Sequence, residues 1–243
     1  MDRRPLHPKT MSIEHGAPVV GHWAELILST GKVIAIEARA RSRWQRVCKR
    51  TMDIVLAGVG LIGLAPVFAI LVVVVKLTSP GPVFYPWQVV GKGGQPFKGF
   101  KFRTMVVNAD ELKAGLLGAN EMTGPVFKMR SDPRATSVGT FLRKYSLDEL
   151  PQLWSVLKGD MSLVGPRPPL RTEYAQFAEW QKQKLAVTPG ITCLWQVSGR
   201  SNIRDFDEWV RLDLEYIERW SLWLDLKILL RTIPVVLGGR DAS

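Results

Sequence analysis

Residues 54–75 read IVLAGVGLIGLAPVFAILVVVV, with Asp53 and Lys76 as the nearest charges on either side. Twenty-two uncharged residues in a single helix would extend about 33 Å at roughly 1.5 Å per residue. A hydrocarbon core is about 30 Å thick, so length alone permits a full crossing. Two features argue for a different path. Pro66 offers no N–H to the carbonyl of Ile62 and its ring crowds that carbonyl, so a bend is expected there. Gly58, Gly60 and Gly63 ease the bend. The second feature is charge. Arg39, Arg41, Arg43, Arg46, Lys49 and Arg50 precede the run, and Lys76, Lys92, Lys98, Lys101 and Arg103 follow it. Basic flanks mark the cytoplasmic side, and a hairpin returning to that side satisfies both. A kinked transmembrane helix is the other reading, because proline is tolerated in such helices. Either path anchors the chain in a membrane.

The 243 residues carry a net charge of +11, which calls for an anionic partner: a nucleic acid, an acidic membrane surface or a phosphorylated substrate. Cys48 and Cys193 are too few and too far apart for a disulfide framework or a metal cluster, so a reducing compartment is expected. His7, His15 and His22 all lie near the start, which excludes a His-based metal site or a Ser-His-Asp triad in the main body. A secretory signal peptide is not expected, since the apolar run starts near residue 54. No GxxxxGK[ST] loop occurs, and GKGG at 91–94 reads as a hairpin turn.

Three parts follow: an N-terminal extension (1–38), a basic segment with the apolar helix (39–78), and a catalytic domain (79–243). HWAELILSTGKVIAIE at 22–37 suggests a small hairpin, with a helix as the alternative, and SPGP at 79–82 breaks the apolar helix. VFYPWQVVGKGGQPFKGFKFRTM predicts a β-hairpin turning around 91–94, then a helix over 106–118 and a loop-rich insertion over 119–139. Helices are expected over 139–158 and 171–186, the latter amphipathic, with a loop and short strand over 188–200. One or two helices should span 205–237, with Trp209, Trp220 and Trp223 on one Leu-rich face. That face reads as plain core or as a surface lying in the membrane interface.

The stretch richest in chemistry is LRKYSLDELPQLWSVLKGDMSLVGPRP, residues 142–168. In isolation Ser146-Leu-Asp-Glu149 reads as a capping box, with an acid favouring the positive helix end. The surroundings shift that reading. Asp148 and Glu149 are adjacent carboxylates among cations, with Arg143 and Lys144 before them and Arg167 after. GPRP at 165–168 presents its arginine from a proline-flanked turn, suited to fixing a fork of donors on a phosphate. KFRTM adds Lys101 and Arg103, and SGR adds Arg200. Carboxylates beside several cations near a membrane suggest phosphoryl chemistry with a metal, where cations offset repulsion between an anionic nucleophile and an anionic substrate.

With these motifs in hand, residues 46–237 resemble the monotopic phosphoglycosyl transferases, the bacterial sugar transferase family. The resemblance is carried by KRTMD (49–53), Pro66, FKGFKFRTM (97–105), the stretch at 142–168, PGITCLWQVSGR (189–200) and LDLEYIERWSLWLDLKIL (212–229). It implies a helix-rich α/β fold in which a small catalytic core and interfacial amphipathic helices accompany a re-entrant, proline-broken membrane helix. It also implies transfer of a sugar-1-phosphate from a UDP-sugar to polyprenyl (undecaprenyl) phosphate at the bacterial inner membrane, with the catalytic domain facing the cytoplasm. The family's dyad falls on Asp148 and Glu149: Asp148 attacks the β-phosphorus, with Mg²⁺ bound beside it, and Glu149 deprotonates or orients the lipid phosphate. Lys101, Arg103, Arg143, Arg167 and Arg200 fall among phosphate- and nucleotide-binding positions.

An aspartate is ionised at neutral pH and needs no base, in agreement with that role. Membrane lipids and anionic substrates then account for the charge of +11 without nucleic acid; a homodimer stays open. Ala65, Thr188 and Ser201 stand where many relatives carry Ser, a basic residue and Asn, and the last two bear on the nucleotide loop. The large transmembrane bundle of many relatives is not in this sequence, so a minimal form is expected. Two competing functions are a catalytically silent scaffold for polysaccharide assembly and a membrane-tethered nucleic-acid binder. The intact dyad argues against the first, and the lack of a binding motif against the second.

Overall fold

The computed structural model describes residues 42–198 and 203–239. The hairpin or helix expected over 22–37 and the side chain of Arg200 lie outside them. The apolar run forms two helices, α1 (Arg43–Gly63) and α2 (Ala65–Thr78), that meet at an angle of 61°. The break falls at Leu64, and Pro66 sits in the first turn of α2, where its missing N–H costs no helical bond. Among the described residues no single helix is long and apolar enough to cross a membrane; the bent pair together meets that length and composition.

α2 is followed by β1 (Phe84–Val90) and β2 (Pro96–Phe102), an antiparallel hairpin turning at Lys92–Gly94, as the sequence predicted. The helix expected over 106–118 is one short turn, α3 (Ala109–Leu112), continued as a 3₁₀ segment, Lys113–Ala119, and a loop-rich stretch runs on to α4 (Ser137–Lys144). The helix expected over 139–158 is not continuous. Ser146 takes a left-handed conformation (φ 52°), a 3₁₀ turn covers Leu147–Glu149, and α5 (Gln152–Lys158) starts after Pro151. β3 (Ser162–Val164) follows.

The amphipathic helix expected over 171–186 is also interrupted, giving α6 (Arg171–Tyr174), α7 (Glu179–Lys182) and a 3₁₀ turn, Gln183–Ala186. Between them the chain turns Phe177 inward against Phe206, and Gln181 Oε1 accepts from Ala178 N to restart the helix. β4 (Gly190–Thr192) pairs in parallel with β3, and α8 (Leu194–Val197) is a single turn. α9 (Phe206–Glu218) and α10 (Leu222–Gly238) end the described chain. The three tryptophans do not share a face. Trp209 is buried against Trp195, Trp220 donates to Asp225, and Trp223 is 71% exposed. The outcome is a helix-rich fold with two small sheets.

Three apolar clusters hold these elements. Ala57 of α1 joins Val156, Met161, Val164, Tyr216 and Ile228; Leu71 and Val75 of α2 join Phe102 and Leu142; Phe177, Trp195, Phe206 and Trp209 form the third. Arg50 on α1 donates to the carbonyls of Val156 (2.6 Å) and Leu157 (2.7 Å), satisfying the end of α5 with a cation. Only one stripe of α1 and α2 is used this way. Ile62 and Leu77 are about 80% exposed, and Val59, Ile70 and Val73 are exposed with them.

Candidate active site

The left-handed Ser146 decides where the dyad goes. It is the only non-glycine residue with positive φ among the described residues, a conformation that costs about 1–2 kcal/mol for an L-residue. The capping box suggested by Ser146 and Glu149 does not form: the serine side chain makes no cap bond. Instead Ser146 N donates to Arg143 O at 3.0 Å and Glu149 N to Ser146 O at 3.2 Å, winding the chain into a tight turn. That turn buries Asp148 and Glu149, 8% and 9% exposed, against β2.

Three cations converge on the dyad from three elements. Lys101 on β2 donates to Glu149 Oε1 at 2.7 Å, and Arg167 Nη1 approaches the same oxygen at 3.5 Å. Burial pushes the Lys101 ammonium below its ordinary pKa, while Glu149 and Asp148 pull it back up and Arg167 lowers it. Arg143 at the end of α4 is lowered by burial too, and held up by Asp148 and Asp132. Its Nε donates to Thr104 Oγ1 at 3.1 Å. Asp132 is itself gripped by Arg134, whose Nε and Nη2 lie 2.9 and 2.6 Å from its oxygens.

Two glycines make these approaches possible. A Cβ on Gly139 would meet the carbonyl oxygen of Thr104 at 1.9 Å, so only glycine lets α4 bring Arg143 onto the strand exit. A Cβ on Gly190 would meet Gly165 N at 2.1 Å. That backbone contact, with Gly190 N donating to Pro166 O at 2.9 Å, holds the turn that presents Arg167.

Asp148, Glu149, Lys101, Arg143 and Arg167 line one cavity of about 370 Å³, whose far side carries Phe127, Phe206, Trp195 and Trp209. Arg103 also borders it, but its Nη2 is spent on Ser79 O (2.7 Å) and Ser79 Oγ (2.8 Å), tying the end of α2 to β2. Sequence reasoning missed Trp87, Thr104, Asp132 and Arg134. Thr104 stood within KFRTM, and Asp132 and Arg134 form an acid–proline–arginine triplet beside the dyad's own arginine. Among the described residues no three His, Cys, Asp or Glu gather for a metal. The adjacent carboxylates of Asp148 and Glu149 offer the one or two protein ligands that Mg²⁺ takes when phosphates complete its shell.

A buried carboxylate pair ringed by lysine and arginine opens on this cavity. Residues 44–239 match the bacterial sugar transferase family model, and the chain belongs to that family. It is 50% identical over 197 residues to a galactosyl transferase, CpsE, of Streptococcus agalactiae, covering 81% of this chain and 44% of the relative. It is 43% identical over 216 residues to an undecaprenyl-phosphate galactose phosphotransferase of Salmonella typhimurium, covering 87% and 44%. An exopolysaccharide production protein, ExoY, of Sinorhizobium fredii is 40% identical over 200 residues, covering 81% and 88%. The chain thus spans less than half of the first two and most of the third.

Proposed function

We propose that this chain is an enzyme that moves a sugar-1-phosphate from a UDP-sugar to undecaprenyl phosphate and so starts a surface polysaccharide. The observation that carries the reading is the buried Asp148–Glu149 pair facing Lys101, Arg143 and Arg167 in one cavity. Relatives named as an undecaprenyl-phosphate galactose phosphotransferase and as a UDP-glucose:undecaprenyl-phosphate glucose-1-phosphate transferase support the donor class and the lipid carrier, with the sugar left open between them.

Asp148 Oδ attacks the β-phosphorus of the donor, the bond to the bridging oxygen breaks, and UMP leaves with that oxygen. An oxygen of undecaprenyl phosphate then attacks the phosphorus held on Asp148, releasing the carboxylate and the undecaprenyl diphosphate sugar. Lys101, Arg143 and Arg167 offset the charge of the converging phosphates. Glu149, already bridging Lys101 and Arg167, fixes those cations and orients the lipid phosphate. Asp148, with donor oxygens, would hold Mg²⁺, which supplies further neutralisation of the developing charge. Arg103 serves the joint between α2 and β2, and Arg200 is assigned to the nucleotide.

The bent α1–α2 pair enters one leaflet and returns, which leaves the cavity at the cytoplasmic face. Its exposed aliphatic side chains, the 61° bend and the basic residues on both flanks support this path. Cysteines introduced as Ala40→Cys and Lys98→Cys should both resist a membrane-impermeant reagent added from the periplasmic side; labelling of either would overturn the path.

The chemistry is tested by mass. Incubated with UDP-galactose or UDP-glucose and no lipid, the protein should gain one hexose-phosphate and release UMP, and Asp148→Asn should do neither. Chelation of Mg²⁺ should stop the release. Intersecting double-reciprocal kinetics without an adduct would replace the covalent path by direct transfer.

A further inference from the structure

Trp87 lies in the middle of β1, opposite Gly99 in register and one pleat away from the partner of Tyr85, Lys101. Its indole is 7% exposed and borders the cavity. The Lys101 ammonium sits 4.2 Å from the ring centroid, and the Arg167 guanidinium carbon 5.9 Å. On their other side the same two cations share Glu149 Oε1, at 2.7 and 3.5 Å. Two like charges drawn this close in a buried site repel each other. They are countered by a carboxylate on one side and by the negative face of an aromatic ring on the other.

Trp87 Nε1 is buried with no hydrogen-bond partner among the described residues, as Trp195 Nε1 is too; what sets Trp87 apart is the pair of cations over its ring. Gly99 faces the indole across the ladder, where a Cβ would make ordinary contact with Trp87 Cδ1 and Nε1 at 3.5 Å. Tryptophan has the strongest cation-binding face of the aromatic side chains. An aliphatic residue could fill the same volume without holding the cations.

We infer that Trp87 is a positioning residue, its ring face holding Lys101 and Arg167 together where the donor's phosphates must bind. The inference rests on the phosphate-handling role proposed above. It places a specificity for di-anionic phosphate on a strand residue that carries no charge.

The test changes the ring's electrostatics and keeps its shape. Tetrafluorotryptophan inserted at position 87 alone should lower kcat/KM for the UDP-sugar roughly tenfold, the range of a desolvated cation–π contact. The affinity for UDP, read by calorimetry without turnover, should fall in parallel, and the melting temperature should stay unchanged. Trp87→Phe should remain within roughly threefold of wild type, and Trp87→Leu should lose at least as much as the fluorinated protein. In an Arg167→Ala background the fluorination penalty should shrink, because one of the two cations is gone. Full UDP affinity and full kcat/KM in the fluorinated protein would overturn the positioning role. So would equal losses in Trp87→Phe and Trp87→Leu that track melting temperature. Failure of the wild-type protein to release UMP from either UDP-sugar would instead overturn the functional reading beneath it.

Discussion

Two buried charge clusters in this protein use the same chemical parts to opposite ends. Lys49 on α1 lies between Asp53 at 3.2 Å and Asp225 at 2.8 Å. Asp225 further meets the Tyr216 hydroxyl at 2.8 Å and accepts from Trp220 Nε1 at 3.1 Å, while Asp53 accepts from Leu163 N at 3.1 Å. This cluster ties α1, α10, β3 and α9 together, and none of its three charged residues lines the cavity of the dyad. The second cluster sets Lys101, Arg143 and Arg167 around Asp148 and Glu149 at the wall of a cavity, with cations in excess. The first is closed on itself: its two carboxylates share one ammonium and take their further hydrogen bonds from neutral protein donors. The second keeps a surplus of cations facing the cavity, which is where the proposed function seats an anionic substrate. Burial of charge therefore does not by itself mark a site; the sign left over and the opening do.

Breaking the open cluster should have the largest effect on turnover and little on the fold. Asp148→Asn keeps the shape and removes the proposed nucleophile, so UMP release should fall by roughly 10³-fold or more. Unfolding followed by circular dichroism in detergent should show a melting temperature at or slightly below wild type, because Asp148 offsets part of the charge of Lys101 and Arg143.

The closed cluster should respond the other way. Asp225→Ala leaves Lys49 buried beside a single carboxylate and removes the acceptor of Trp220 Nε1, while the Tyr216 hydroxyl keeps Val164 O, a loss of about 3–5 kcal/mol. Denaturant titration should register that loss, while kcat per folded molecule, corrected by active-site labelling, should change little. A loss of kcat without a loss of stability would erase the distinction between the clusters.

A smaller effect separates binding from building within the open cluster. Arg167→Ala removes a charge-assisted contact worth about 1.5–3 kcal/mol, so kcat/KM should drop roughly 10–200-fold with the secondary structure intact. Ser146→Gly should relieve the left-handed strain and stabilise the protein by up to about 1 kcal/mol. Turnover should be retained or modestly reduced, since the turn stays in place but is less rigid.

The smallest expected effect is a pH dependence in neither cluster. Burial and the neighbouring Asp213 push the Cys193 thiol well above its ordinary range, only partly offset by Gln196 and Lys184. In the unfolded chain the thiol ionises first, so the folded state binds more protons and stability should fall as pH rises past the ordinary thiol pKa. At neutral pH iodoacetamide should modify half-exposed Cys48 and spare Cys193, read by peptide mass.

The apolar run, its basic flanks, the hairpin of 84–102 and the chemistry-bearing motifs were all legible in the sequence. They depend on patterns repeated within a few residues: an uncharged stretch, strand alternation around a glycine turn, carboxylates beside cations. The tight turn at Ser146, the interruption at Phe177 and the scattering of the three tryptophans were not. In each case contacts with distant residues outweigh a local preference of a few tenths to about 1 kcal/mol per residue. Phe177 leaves a helical pattern to reach Phe206, and Trp209 turns from its neighbours' face to stack on Trp195. The site divides along the same line. Which charged residues would gather around the dyad was written in the motifs. That Lys101 and Arg167 share Glu149 and the face of Trp87, while Arg103 is diverted to Ser79, was decided only when β2, the dyad turn and the Gly165–Arg167 corner packed together. Sequence carries the charges, but their separations and surplus exist only once the chain has closed around them.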